Sequence, residues 1–176
     1  MLVVSGEEVH RICAWPALVA ALYAAHRGPR ALIARASIEA QVRGLTQTYF
    51  NLPAFLPGVA MGTKIATILP DNPTRFSDVP AVQALYALFE GDDGSPAAVM
   101  DGTALTYRKT AADSALGSQL LSHDDARVLL MVGAGGLAPY LARAHLAIRP
   151  SLARVLVWNR TVTRAEAMGD LSLIHI

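Results

Sequence analysis

Residues 127–138 read RVLLMVGAGGLA, and this stretch constrains the fold more than any other. An all-apolar run, residues 128–132, leads straight into Gly133-Ala134-Gly135-Gly136-Leu137-Ala138. A second apolar run, Val155-Leu156-Val157-Trp158, follows a helix-like stretch. This is the order of a βαβ unit: buried strand, glycine turn, helix, buried strand. Gly133 allows a tight turn off the strand, and Gly135 lets a pyrophosphate approach the backbone. Ala138 takes the third place of G-x-G-x-x-G/A, where helix and strand pack closely. A helix starting near Gly135 aims free N–H groups and its positive dipole end at the phosphates. The plain alternative is a tight turn with no ligand; the spacing to the second strand favours a dinucleotide.

The chain has 176 residues, which suggests one domain or a little more. It is 53% hydrophobic and 16% charged, so it can bury a large core. A net charge of +1 points to no nucleic-acid or acidic partner. The single cysteine, Cys13, excludes an internal disulfide framework and makes a reducing compartment the default. It has no C-x-x-C partner, and no metal site is expected. Glu7 and Glu8 come too early for a signal peptide. The uncharged stretch at residues 128–142 holds three glycines and a proline and falls short of the roughly 18 apolar residues of a spanning helix. The chain reads as cytoplasmic and soluble, with no membrane partner.

Residues 1–30 read as a strand and two helices. Leu2-Val3-Val4 is a short strand, and Ser5-Gly6-Glu7-Glu8 is a capping box leading into a helix with Val9 and Ile12. Pro16 suits the first turn of a second helix, residues 16–26, which ends at Gly28 and has Leu18, Ala21, Leu22 and Ala25 as its apolar face. His10 and His26 read as solvated or satisfied histidines. Residues 46–50 have strand composition; Leu52-Pro53-Ala54 breaks that strand, and Pro57-Gly58 marks a turn. Residues 59–69 alternate, with Met61, Thr63, Ile65 and Thr67 on one face. Lys64 falls on the other face among small and apolar neighbours. Either its stem packs while its head reaches water, or its ammonium is held to grip a substrate. Pro70-Asp71-Asn72-Pro73 is a turn.

Residues 81–89, AVQALYALF, are ambiguous between helix and strand. The turn at residues 91–95 and a second apolar run at 96–100 favour a β-hairpin. Asp101-Gly102-Thr103 is a turn that can cap a helix over residues 106–121. Arg108 and Lys109 then fall in its first turns, where cations oppose the helix dipole at a cost of some tenths of a kcal/mol unless an anion is near. Such a local conflict marks either a functional site or a solvated basic pair.

Several of these stretches together resemble the ornithine cyclodeaminase/mu-crystallin family. They are Gly62-Thr63-Lys64, Pro70-Asp71-Asn72, the run from Met100 to Thr106, the run from Thr110 to Ala115, Gly133-Ala134-Gly135, and Val157-Trp158-Asn159-Arg160-Thr161. They occur in the family's order over most of the chain. The resemblance implies an α/β fold in two parts. An N-terminal α+β substrate-binding and dimerisation domain with a mixed sheet takes residues 1–122, and the start of a Rossmann domain, its first βαβ, takes residues 123–169. Residues 170–176 read as a tail of foreign or out-of-frame origin on a C-terminally truncated fragment.

The resemblance also implies NAD(P)-dependent chemistry at the α-carbon of a small amino or imino acid, in a homodimer. Lys64 matches the family lysine that, with a basic residue on the helix, binds the substrate carboxylate. The family places an arginine directly before Thr-Ala-Ala; here Lys109 precedes Thr110, and Arg108 lies one place earlier. Arginine grips a carboxylate bidentately whereas lysine is a point charge, so either Lys109 substitutes or Arg108 is reoriented. Arg35 and Arg43 are candidates for a further carboxylate-binding arginine, with Arg35 preferred. Cofactor contacts are implied for Thr110, Gly133, Gly135, Gly136, Leu137, Ala138, Asn159, Arg160 and Thr161. Leu137 stands where the family often has glutamine, which leaves phosphate binding by backbone intact.

No carboxylate ends the second strand to bond the ribose of NAD, and Arg160 can pair with a 2′-phosphate, so NADP is preferred over NAD. The implied reaction is reduction of a cyclic ketimine such as Δ1-pyrroline-2-carboxylate to proline. The alternatives are cyclodeamination of ornithine to proline with loss of ammonia, a non-catalytic NADPH-linked binding protein of the mu-crystallin kind, and an α/β protein without nucleotide. An acid–base carboxylate expected later in a Rossmann domain is not in this sequence.

Overall fold

The structure, a computed structural model, describes residues 1–77 and 79–169. The chain divides into two compact units. One is Met1–Ile12 with Gly28–Thr106, and the other is Cys13–Arg27 with the described residues from Tyr107 onward. The expected tail, residues 170–176, lies outside the described residues.

The chain begins with β1 (Leu2–Val4), α1 (Gly6–Ile12) and α2 (Trp15–Arg27). The capping box at the start of α1 is formed. The Ser5 N–H and hydroxyl both donate to the Glu8 carboxylate, at 2.8 and 2.9 Å, and the Glu8 N–H donates to Ser5 Oγ. The first unit then builds β2 (Leu32–Ile33), β3 (Ala36–Val42), β4 (Leu45–Leu56), β5 (Ala60–Ile68), the single-turn α3 (Asn72–Arg75), β6 (Val82–Glu90) and β7 (Pro96–Asp101). These strands form one sheet in the order β1-β7-β6-β5-β4-β2, with β3 also on β4. Only β1 pairs in parallel, with β7, so the sheet is mixed as expected.

The ambiguous run 81–89 is strand. β6 pairs with β7 from Leu85↔Asp101 to Phe89↔Pro96. The turn between them is closed by Glu90 N–H on Ser95 O and Gly94 N–H on Glu90 O. Its polar, glycine-bearing loop outweighs the helix propensity of the alanines and leucines, because the strands bury cross-strand neighbours. The β3–β4 hairpin closes on Arg43 and Gly44, with φ of 52° and 74°, as a two-residue primed turn needs.

Pro53 does not break its strand, contrary to expectation. β4 runs through it to Leu56. On one side Pro53 sits opposite Thr63 of β5. On the other, Asn51 pairs with Ala36 of β3 and Ala54 with Ile33 of β2, so Pro53 falls at the junction between those two short strands. Its missing N–H costs no ladder bond there, and its carbonyl accepts from Ala34 N–H at 3.1 Å. The expected turn at Pro70–Pro73 continues into α3, with Asp71 as its N-cap residue.

α4 (Gly102–Leu121) starts four residues earlier than expected. Asp101 Oδ1 accepts from the N–H groups of both Thr103 and Ala104, each at 2.9 Å, and sets the start. Arg108 and Lys109 therefore lie beyond the first turn, where opposition to the helix dipole has largely faded.

The second unit adds β8 (Val128–Val132), α5 (Ala138–Ile148), β9 (Arg154–Trp158) and α6 (Val162–Gly169). β8 and β9 pair in parallel from Val128↔Arg154 to Val132↔Trp158, the expected βαβ unit. It departs from expectation in two ways. Both strands were expected to be buried, but they alternate: Met131 and Val155 are buried with Ala138, Ala142 and Met168, while Leu130 and Val132 are 63% and 73% exposed. α5 and α6 pack on one face only. And α5 begins at Ala138, three residues after Gly135, because residues 135–138 form a turn closed by Ala138 N–H on Gly135 O.

A second cluster joins Val19 of α2 to Ala111, Ala112, Ala115 and Leu116 of α4 and Ala144 of α5. Four alanines at 0–1% exposure let these helices approach closely. The buried face of α2 is Trp15, Leu18, Val19 and Leu22; Ala21 and Ala25 are exposed, contrary to expectation. No helix among the described residues is long and apolar enough to cross a membrane.

The end of α4 is held by a charge. Arg149 is 7% exposed and donates to the carbonyls of Ser118, Gln119 and Ser122 and to Asp124. It satisfies helix-terminal carbonyls that have no intrahelical partner. Arg149→Met in the full-length protein should lower stability to chemical denaturation by about 2–3 kcal/mol, the cost of orphaning several polar groups together. A loss under about 0.5 kcal/mol, the range of ordinary surface substitutions, would contradict this role.

Candidate functional site

The glycine turn is built by the end of β8. Gly133 has φ +114°, a conformation that side chains rarely adopt, and its N–H donates to Trp158 O at 2.7 Å. Ala134 N–H donates to Asn159 Oδ1 at 3.1 Å, and Asn159 Nδ2 donates to Thr161 O at 2.7 Å. The turn is thus tied to the segment that follows β9. Among the described residues, the N–H groups of Gly135, Gly136 and Leu137 have no hydrogen-bond partner. A Cβ added at Gly135 would meet open space. Free donors beside an open backbone are what a pyrophosphate needs, so the turn fits the phosphates of a dinucleotide. The donors come from the turn more than from α5, whose first turn contains Pro139.

Two clefts flank the turn. One, of about 430 Å³, is lined by Val132, Gly133, Trp158, Asn159, Arg160 and Thr161 together with Arg164. The other, of about 360 Å³, is lined by Ala134, Gly135, Gly136, Pro139 and α6, again with Arg164. The structure therefore groups most of the sequence-expected cofactor residues at one place. Leu137 belongs to the same turn, and Ala138 is buried beneath it. Thr110 is exposed on α4, one turn after Tyr107. The Tyr107 hydroxyl lies 3.2 Å from where a Cβ on Gly136 would stand, and its ring stacks on Tyr140 with centroids 4.8 Å apart.

The two basic residues of α4 differ in surroundings. The Arg108 guanidinium lies over the Trp15 ring, 4.0 Å from its centroid, and burial pulls its pKa below the ordinary arginine value. Lys109 is half exposed and paired with Asp113, which also bonds His26 at 3.3 Å. Burial pushes the Asp113 carboxyl up, but Lys109 and His26 outweigh it and hold the carboxyl low.

In the first unit, Lys64 stands on β5 in register with Leu52 of β4 and Tyr86 of β6, half-buried. The Tyr86 phenol occupies the space that a Cβ on Gly62 would take, so the glycine makes room for a phenol on the face that carries Lys64. Burial raises the Tyr86 hydroxyl pKa. Of the two upstream arginines, Arg43 is engaged: its Nε and Nη2 donate to Asp71 at 3.0 and 2.8 Å. Arg35 lies exposed between β2 and β3.

Sequence reading missed Arg164, Tyr86 and Tyr107. The spacing of Arg164 from Arg160 was a readable signal; the two tyrosines needed register and packing.

The model of the family described as "Ornithine cyclodeaminase/mu-crystallin family" matches residues 6–172. The chain belongs to the ornithine cyclodeaminase/mu-crystallin family. It is 37% identical over 166 residues to the Δ1-pyrroline-2-carboxylate reductase of Paracoccus denitrificans, covering 92% of this chain and 49% of that protein. It is 46% identical over 110 residues to Protein SAR DEFICIENT 4 of Arabidopsis thaliana, covering 62% of this chain and 33% of that protein. Its fold resembles the Δ1-pyrroline-2-carboxylate reductase of Thermococcus litoralis, solved in complex with NADH and L-proline. That likeness has a TM-score of 0.82 at 22% identity, over 97% of this chain and 53% of that one. The chain spans about half the length, or less, of the curated relatives it matches.

Proposed function

We propose that the full-length protein containing this chain is an NAD(P)H-dependent reductase of a cyclic α-imino acid, converting Δ1-pyrroline-2-carboxylate to proline. The observation that carries this reading is the likeness to the Paracoccus reductase across 92% of the chain. The free donors of residues 135–137 support it from the geometry. When bound, the reduced nicotinamide supplies a hydride to the imine carbon, and the ring nitrogen takes up a proton.

The chain's own residues bind and orient. The turn holds the pyrophosphate, Asn159 keeps the turn in place, and Thr110 sits by the cofactor. Arg160, with no carboxylate ending β9, favours NADPH over NADH. Lys64, Lys109 and Arg35 hold the substrate carboxylate. Residues 1–122 form the substrate and dimer part of a cytoplasmic homodimer, and residues 123–169 begin the cofactor part. The test is NADPH oxidation by the full-length protein, followed at the nicotinamide absorbance, with Δ1-pyrroline-2-carboxylate offered. Turnover supports the reading; retained NADPH without turnover would place the protein among binders.

Between the two α4 cations, Lys109 is the better carboxylate ligand. Exposed i,i+4 pairs such as Lys109–Asp113 are worth only about 0.3–0.5 kcal/mol, so an incoming carboxylate displaces Asp113 readily. Arg108 is committed to Trp15. Lys109→Ala should raise KM for the imine about tenfold or more, the loss of one charged contact, and leave NADPH affinity unchanged. Arg108→Ala should chiefly lower the melting temperature. The reverse pattern would assign the site to Arg108.

A further inference from the structure

Arg164 is the one residue that lines both clefts beside the glycine turn. We propose that Arg164 is a second arginine for the 2′-phosphate of NADPH, closing on it together with Arg160. This deepens the reductase reading and rests on its dinucleotide part.

The segment carrying both arginines is held in place. The Thr161 carbonyl accepts from the Arg164 N–H at 3.1 Å, which starts α6, and from Asn159 Nδ2 at 2.7 Å. Asn159 is bonded in turn to Ala134 of the glycine turn. The position of Arg164 is therefore coupled through Thr161 and Asn159 to the backbone that receives the pyrophosphate.

Charge and shape agree. The residues of the two clefts include two arginines and no carboxylate. The nearest acid on α6, Glu166, is exposed and lines neither cleft. Among the described residues Arg164 makes no ion pair, so its guanidinium is available to an anion. Trp158, 60% exposed, forms an apolar wall of the cleft that holds both arginines. A flat base next to a phosphate suits an aromatic wall next to cations. Two planar guanidinium forks can meet a phosphate dianion from two sides, each with paired N–H donors.

The test measures binding to the full-length protein by calorimetry, without catalysis. The probes are NADPH, NADH, adenosine 2′,5′-bisphosphate and adenosine 5′-monophosphate. Arg164→Ala is expected to weaken NADPH and the bisphosphate by about tenfold or more, the size of one lost charged hydrogen-bonding partner, while NADH and the monophosphate change by less than about threefold. Arg164→Lys, a point charge without the fork, should fall between. Equal weakening of both pairs would assign Arg164 to the pyrophosphate or to folding and overturn the proposal, as would unchanged NADPH affinity. A parent protein that binds NADPH and NADH equally would also overturn it and leave the dinucleotide reading standing. Binding of neither would sink both.

Discussion

Gly135→Glu in the full-length protein is expected to lose NADPH and NADH binding by more than about a hundredfold, because it sets a carboxylate where the proposed cofactor site puts the pyrophosphate, and like charges so placed cost several kcal/mol. Its melting temperature holds. The substitution is a clean probe for a structural reason. A Cβ at Gly135 meets open space, and the residue is not among the glycines with positive φ. Gly133 is the opposite case. At φ +114° any side chain there is strained, so loss of binding would be confounded by damage to the turn. Calorimetric titration with both nucleotides decides the matter. A Gly135→Glu protein that is folded and still binds either dinucleotide within about tenfold of the parent would remove the glycine turn from the cofactor site.

Lys64→Met carries the second large effect. With NADPH affinity unchanged, kcat/KM for Δ1-pyrroline-2-carboxylate should fall roughly a hundred- to thousandfold, the loss seen when a preorganised electrostatic contact to the reacting substrate is removed. Methionine keeps the length and packing of the lysine stem on β5, so the half-buried position is not emptied. Lys64→Arg should recover only part of the loss, because the Tyr86 phenol already crowds that face over Gly62. A folded Lys64→Met protein with kcat/KM within about threefold of the parent would show the bland reading to be right: a packed stem with its charge in water.

Features set by local chemistry were readable in the sequence. The Ser5–Glu8 box, the Asp101 cap, the 91–95 turn and the strand–glycine–helix–strand order each depend on residues within a few places of one another. Elements whose meaning depends on a distant partner were not. Pro53 reads as a breaker until its place opposite the β2–β3 junction is known. The buried face of α2 was assigned by spacing, but Trp15 and Val19 face the alanines of α4 and displace Ala21 and Ala25.

The candidate site divides the same way. The glycine turn and the Asn159-Arg160-Thr161 segment announced themselves as motifs. That Asn159 bonds the turn, and that Arg164 reaches both clefts, required the parallel pairing of β8 and β9. Arg149 had no sequence signal. An arginine before a proline reads as a solvent residue, and only the packed structure puts it under the end of α4.

The most direct measurement follows the hydride. The full-length protein would be incubated with Δ1-pyrroline-2-carboxylate and NADPH deuterated at the transferring position of nicotinamide C4, and the product examined by mass spectrometry and proton NMR. Proline carrying deuterium at Cα is the predicted result. Proline without the label, or no proline while NADPH remains bound, would contradict reduction of a cyclic imino acid.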